Sequence, residues 1–235
     1  MMSCPAIDDT DRYLRHSGFL PQALLRRHPV TVVGVGAIGR QVAMQLGVMG
    51  VGPLTLIDPD AVETVNLGAQ GFAESDLGNP KVEATAELIQ GLNRTVQVIP
   101  HARRFRRSED TAEVLFCCVD RIETRGHIFR AIQDRVRCFI DGRMSAESLR
   151  ILTVGSAMGL RHYPQTLFTA AQAQQGACTA RTTFYTATIA AGLMVSLYGR
   201  WLRGLEIPVD LVFNLLADEL VVQDAVAGGE VAHGM

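Results

Sequence analysis

Gly34-x-Gly36-x-x-Gly39, Asp58, Asp60, Asn66, Gln70 and Lys81 follow one another in the first part of the chain, and Asp120 comes further on. Glycines let a backbone come close to phosphate, and a helix that begins among them offers unpaired N–H groups to an anion. A carboxylate about twenty residues later suits the hydroxyls of a ribose. The glycine turn alone is shared by dehydrogenases, methyltransferases and others, and does not say which nucleotide it takes. The residues after Asp58 do. In Ile57-Asp58-Pro59-Asp60-x-Val62-Glu63-x-x-Asn66-Leu67-x-x-Gln70, followed by Gly78-Asn79-Pro80-Lys81, a second carboxylate, an amide and an ammonium crowd together. A dehydrogenase does not need them. A site that cleaves ATP does: carboxylates for Mg2+, amide and ammonium donors for the triphosphate.

These groups need elements to hold them. Val30–Val35 is a β-branched run that leads straight into the glycines, and Ile38, Val42, Leu46 and Met49 then recur at helical spacing until Gly50 and Gly52-Pro53 stop the helix. Leu54–Ile57 reads as a second strand, which completes a right-handed βαβ unit with its ligand at the carboxyl ends of the strands. Residues 58–70 read as an acidic, polar loop. Further on the pattern gives a helix over Pro80–Leu92, a strand over Val96–Ile99, a strand over Val114–Val119 ending at Asp120, and a helix over Ile122–Asp134. Strands follow at Val136–Ile140 and Leu149–Val154. Arg103, Arg104, Arg106 and Arg107 form a basic run whose ordinary reading is a solvated loop. From Gly155 to Thr183 regular patterning stops, and a connection of that length points to function. Tyr185, Ile189, Leu193, Leu197 and Trp201 then mark an amphipathic helix over Phe184–Arg203, and Val209–Leu216 with Glu219–Val222 reads as a hairpin.

The alternation predicts an α/β fold, a Rossmann-like doubly wound mixed sheet in a single domain over residues 1–225. Within it lie an N-terminal helical arm at 11–29, where Pro21 opens a short helix, and a long crossover loop at 155–183. The Gly- and Ala-rich tail at 226–235 is expected to be disordered. At 235 residues the chain has room for one large domain, and 48% apolar with 20% charged residues is ordinary for a globular protein. A net charge of −2 gives no case for nucleic acid or an anionic membrane as partner, and no window is long and apolar enough to span one. The N-terminus is acidic and lacks a basic-then-apolar leader, so a cytoplasmic location is expected. The five cysteines form no C-x-x-C pair, so no zinc is expected. Cys117, Cys118 and Cys138 fall in apolar runs and read as buried small hydrophobes. Cys178, in a polar segment of small residues, is the candidate for chemistry.

Taken in order, these strings resemble the ThiF/MoeB/ubiquitin-activating enzyme family, which adenylates the C-terminal glycine of ubiquitin-like proteins. The resemblance covers roughly residues 11–203. It rests on Arg12-Tyr13-Leu14-Arg15, the glycine turn, the Asp-x-Asp-x-Val-x-x-x-Asn-Leu segment, the Pro80-Lys81 pair and the strand-end Asp120. It implies that Gly34, Gly36, Ala37, Gly39, Asp58, Asp60, Asn66, Gln70, Lys81 and Asp120 line an ATP site. Asp58 would take the ribose, Asn66 and Lys81 the triphosphate, and Asp120 the Mg2+ and the α-phosphate. On spacing alone Arg12 and Arg15 would be a solvated helix face. The resemblance implies instead that Arg15 reaches a partner subunit's γ-phosphate, hence a homodimer.

Three departures stand out. The family's Asn-Leu-x-Arg-Gln string is Asn66-Leu67-Gly68-Ala69-Gln70, which lacks a phosphate-binding arginine; Arg143 is a candidate substitute. The strand-end string keeps only Asp120 of its carboxylates. Zinc-binding cysteine pairs are absent. The string Cys178-Thr179-Ala180-Arg181-Thr182-Thr183 is similar to that around the catalytic cysteine of ubiquitin-type activating enzymes, which implies a thioester on Cys178 and hand-over to a conjugating enzyme. Compact relatives of this kind occur in bacterial conjugation operons, some of them antiviral. Two other readings remain open: adenylation of a ThiS- or MoaD-like sulfur carrier, and a non-catalytic nucleotide-binding module.

Overall fold

A strand covered on both faces is apolar almost throughout, and Val30–Val33 (β1) and Val114–Cys117 (β4) are buried at every position; their one polar residue, Thr31, accepts the Ala112 N–H at 3.1 Å. In the computed structural model, which describes residues 9–168 and 183–223, they lie side by side at the centre of one eight-stranded sheet. Its order is β3-β2-β1-β4-β5-β6-β7-β8, with β2 at Leu54–Ile57, β3 at Val98–His101, β5 at Cys138–Ser145, β6 at Ser148–Val154, β7 at Asp210–Asn214 and β8 at Glu219–Gln223. Pairings from β3 to β5 are parallel and those from β5 to β8 antiparallel. The fold is thus a single α/β domain with a Rossmann-like, doubly wound mixed sheet. Strand order reverses between β1 and β4, the switch point outside whose carboxyl ends doubly wound folds place their ligands.

Side chains alternate across the sheet. Val30, Val32, Leu54, Leu56, Val114, Phe116, Cys138 and Ile140 face one core with helices α3 (Ala37–Val48) and α8 (Phe184–Leu202), and Val82 and Ile89 of α5 (Lys81–Leu92) join it. On the other face Val33, Ile57, Leu115, Cys117 and Phe139 pack with Ile128, Phe129 and Ile132 of α6 (Ile122–Ile132) and with Tyr163. Full burial of each such side chain is worth about 1.5–3 kcal/mol. The N-terminal arm is two helices, α1 (Asp9–Ser17) and α2 (Gln22–Arg27), with Pro21 capping the second.

Strands β3 and β5 are displaced from the expected Val96–Ile99 and Val136–Ile140, the latter running on to Ser145, and two segments gain helices that the sequence pattern does not predict. Within the supposed loop 58–70, Thr64–Gln70 forms helix α4; Asn66 Oδ1 accepts the Glu63 N–H at 2.8 Å at its start, and Gly71 ends it at φ +74°. Within 155–183, Ala157–His162 forms α7, opened by the Ser156 hydroxyl, and Tyr163–Thr166 adds a 3-10 turn. Residues 169–182 and 224–235 lie outside the described residues. Across the far edge, every residue of β8 is exposed, and its outer side pairs with nothing among the described residues.

Candidate functional site

The glycine turn is wedged between the ends of β2 and β4. Gly34 N donates to Ile57 O at 2.9 Å, and Cys118 N donates to Val33 O at 2.8 Å. Gly34 has φ +87°, and a Cβ there would stand 2.8 Å from the Cys118 carbonyl. A Cβ on Gly39 would overlap the Gly34 carbonyl oxygen, so the first turn of α3 can lie this close to the strand end only with glycine at both positions. Gly36 caps α3 with no side-chain bond, which leaves the amides of that first turn, Ala37 among them, to an outside acceptor. The Gln70 amide lies at the same place. Its oxygen is 3.7 Å from where a Gly36 Cβ would be, and it is buried with no hydrogen-bond partner. An uncapped helix start beside an unsatisfied amide fits a polar, anionic ligand.

Asp58 follows β2 directly. One carboxylate oxygen accepts the Val35 N–H at 2.6 Å and the other the Asp60 N–H at 2.8 Å, which fixes the group while leaving lone pairs for ribose hydroxyls. Burial pushes the Asp58 carboxyl up from its usual range, against the two amide bonds and the charge of Lys81. Lys81, the first residue of α5, is itself buried, and its Nζ lies 3.4 Å from Asp60 Oδ2. Asn66 is buried in α4 with its oxygen committed to Glu63, so its NH2 is the end on offer. Asp58, Asp60, Asn66, Gln70, Lys81 and the glycine turn therefore belong to one end of the sheet. Sequence reasoning missed what braces this group. Arg40 is buried beneath it, donates to Gly71 O at 3.2 Å and Thr85 Oγ1 at 3.0 Å, and stacks 4.0 Å from the Phe72 ring.

Asp120 is exposed just past β4, in the loop that crosses Gly34. Beside it is a buried charge cluster that sequence spacing did not reveal. Arg125 of α6 pairs with Asp141 of β5 and donates to Val119 O and, at 3.0 Å, to Gly142 O. Asp141 is fully buried and also accepts Arg143 Nε at 2.8 Å and the Tyr163 hydroxyl at 3.0 Å. Arg143 spends its other donors on Thr166, at 2.9 Å to the carbonyl and 3.0 Å to the hydroxyl. Its guanidinium is thus held by Asp141 and Thr166, which corrects its candidacy as the replacement for the arginine missing at Ala69. The signal that could have found Arg125 was its place one helical turn into α6 from Asp120.

Arg15 is exposed on α1, while Arg12 of the same helix donates to Leu92 O at 2.9 Å. Cys178 lies outside the described residues. Cys117 and Cys138 are buried, and burial pushes the Cys117, Cys118 and Cys138 thiols well up, away from nucleophilic use. Among the described residues no group of three or more His, Cys, Asp and Glu side chains converges, and no helix is long and apolar enough to cross a membrane. A Mg2+ ion carried in on phosphate needs only one or two carboxylates, and Asp120 suits that task.

Comparison with known proteins gives a consistent result. The sequence model of the ThiF family matches residues 10–217. The SAMP-activating enzyme E1 of Haloferax volcanii is 38% identical over 104 residues, 42% of this chain and 38% of that protein. The adenylyltransferase and sulfurtransferase MOCS3 of Mus musculus is 33% identical over 158 residues, 60% of this chain and 33% of its own length. The matched stretches thus span well under half of these curated relatives. Among solved structures, MccB of E. coli superposes with a TM-score of 0.76 at 16% identity, over 98% of this chain and 76% of that one, a likeness of fold.

Proposed function

The chain belongs to the ThiF family, and from that premise we propose that it uses ATP to activate the C-terminal glycine of a ubiquitin-like protein as an acyl adenylate. The observation that carries this reading is the convergence of the glycine turn, the doubly held Asp58 and the buried Lys81 at one end of the sheet. A carboxylate is a poor acyl donor because its oxygen is a poor leaving group. ATP supplies the remedy, an α-phosphorus that the carboxylate oxygen attacks as pyrophosphate leaves, with Mg2+ neutralising charge.

The chain's own residues then position and compensate. Asp58 accepts the ribose hydroxyls. The amides at the start of α3, with Gly34, Gly36, Ala37 and Gly39 giving room, take phosphate oxygens, and the Asn66 and Gln70 amides border the same space. Lys81, steadied by Asp60, donates to the triphosphate, and Asp120 is the residue that would hold Mg2+, which would supply neutralising charge there. Arg15, exposed on α1, completes a partner subunit's site in a homodimer. The Cys178 thiolate next attacks the acyl carbon, releasing AMP and forming a thioester, and the acyl group then passes to a conjugating enzyme. On this reading the protein works in the cytoplasm, in a bacterial conjugation system of the kind some of whose members are antiviral. A second reading, adenylation of a ThiS- or MoaD-like sulfur carrier, draws on the similarity to an adenylyltransferase and sulfurtransferase.

The test is ATP–pyrophosphate exchange with a panel of ubiquitin-like and sulfur-carrier proteins that end in an exposed glycine. Stimulated exchange supports adenylation, and none with any of them overturns it. A reductant-sensitive conjugate that disappears in Cys178→Ala supports the thioester. Exchange without a conjugate favours the sulfur-carrier reading.

A further inference from the structure

We propose that Arg125 is a positioning residue that, held by the buried carboxylate of Asp141, sets the loop from which Asp120 meets the metal-bound nucleotide. The inference rests on the ATP reading above and adds to it a residue that touches no substrate.

The loop is short and is gripped from two sides. On one, Cys118 and Val119 lie against Gly34, where no Cβ would fit, so the loop cannot move toward the glycine turn. On the other, Arg125 donates to the Val119 carbonyl, the peptide group joined directly to Asp120. Arg125 also anchors the start of α6, where its own N–H donates to Arg121 O at 3.1 Å. An arginine can do this because its planar fork presents donors in several directions at once. One nitrogen meets Asp141 and Gly142 O in β5, and the other meets Val119 O. Asp141 in turn is fixed by strand register, opposite Cys117, and by Arg143 and Tyr163 on its second oxygen. The side chain of Arg125 is 6% exposed, so water does not compete for these bonds. Asp120 itself is exposed. An exposed carboxylate on a loop has little of its own to orient it, and the buried guanidinium beside it supplies a fixed point.

Arg125→Lys keeps the charge opposite Asp141 but has a single nitrogen, which cannot also span to Val119 O. The experiment is calorimetric ATP binding with and without Mg2+, run on the whole chain. For wild type, Mg2+-dependent ATP binding is expected. For Arg125→Lys, affinity in the presence of Mg2+ should fall about 10–100-fold, the usual effect of losing a group that orients a metal ligand. Affinity without Mg2+ should hold, which a general loosening of the fold would not allow. In an Asp120→Ala background, Arg125→Lys should cost nothing more, because its effect runs through Asp120. Arg143→Gln, which also touches Asp141 but not the loop, should leave the Mg2+ dependence unchanged. If Arg125→Lys does not fold, Asp141→Asn is measured in its place, with a smaller loss in the same direction. Unchanged Mg2+-dependent affinity in the substituted chain, or equal losses with and without Mg2+, overturns the positioning role and leaves the ATP reading standing. No ATP binding by wild type overturns both.

Discussion

Around Gly34–Gly39 the holding is done by main-chain groups and close approach, whereas across β5, β6 and β7 it is done by charged side chains that meet over long distances in the chain. At the glycine turn the bonds run from backbone to backbone or from an amide to Asp58. In the other half, Arg125 and Arg143 share Asp141, while Asp210 is gripped by Arg150 at 2.9 Å and by His162 at 2.9 Å. The difference teaches where polar groups are spared for a ligand. Side chains near the turn keep donors and acceptors in reserve, as Gln70 does, and those across β5–β7 spend theirs on one another.

Breaking the charged half should have the largest effect. Asp141→Ala strands the buried Arg125 and takes a partner from the part-buried Arg143, and should cost about 3–5 kcal/mol, measured by urea unfolding; a loss below about 1 kcal/mol would erase the contrast. Next, Lys81→Ala should lower pyrophosphate exchange about 100–1000-fold, as when a preorganised charge donor is removed. Its stability should change far less, because its partner Asp60 is 64% exposed. Gly39→Ala should cost about 1–3 kcal/mol from overlap with the Gly34 carbonyl, read as a lowered melting temperature.

Two carboxylates then sharpen the comparison through pH. Burial alone would raise Asp210, but Arg150 and His162 outweigh it and hold the carboxyl below its usual range. A depressed folded value gives stability that is present above the unfolded value of about 3.9 and is lost as pH falls through the folded one. The stability gap between wild type and Asp210→Asn should therefore close in acid. Asp58 has the opposite sign, since burial raises it, and folding weakens as pH rises from about 3.9 through its folded value. Unfolding curves between pH 3 and 7 should show these opposed slopes. Smallest of all, Arg137→Ala should shift stability by about 1 kcal/mol or less, because that side chain is 63% exposed beside Glu113.

The run from Val30 to Asp58 was legible in the sequence because its demands are local: β-branched strands, glycines and a carboxylate at short spacing. Helix α4 was not, since Asn66, Gly68 and Thr64 are weak helix formers, and its ends are set by a side-chain cap and a left-handed glycine. Helix α7 escaped because six residues carry too little periodicity to see. The charged half was the least legible. Arg125 meets Asp141 across 16 positions and Arg150 meets Asp210 across 60, and only the strand order brings them together. Arg143 is opaque in the same way, since nothing in its place in the sequence points to Thr166, 23 positions on.

The outermost strand has a practical consequence. Leu220, Val221 and Val222 of β8 are all exposed, so neither face is anchored in a core and nothing in the burial pattern fixes its register. An edge that pairs with nothing among the described residues, and carries no lysine or proline of its own, is a template for aggregation, because unpaired amides and carbonyls can take up a strand from another molecule. Concentrated preparations should therefore precipitate through β8 first, and Val221→Lys is the substitution to make when soluble material is needed.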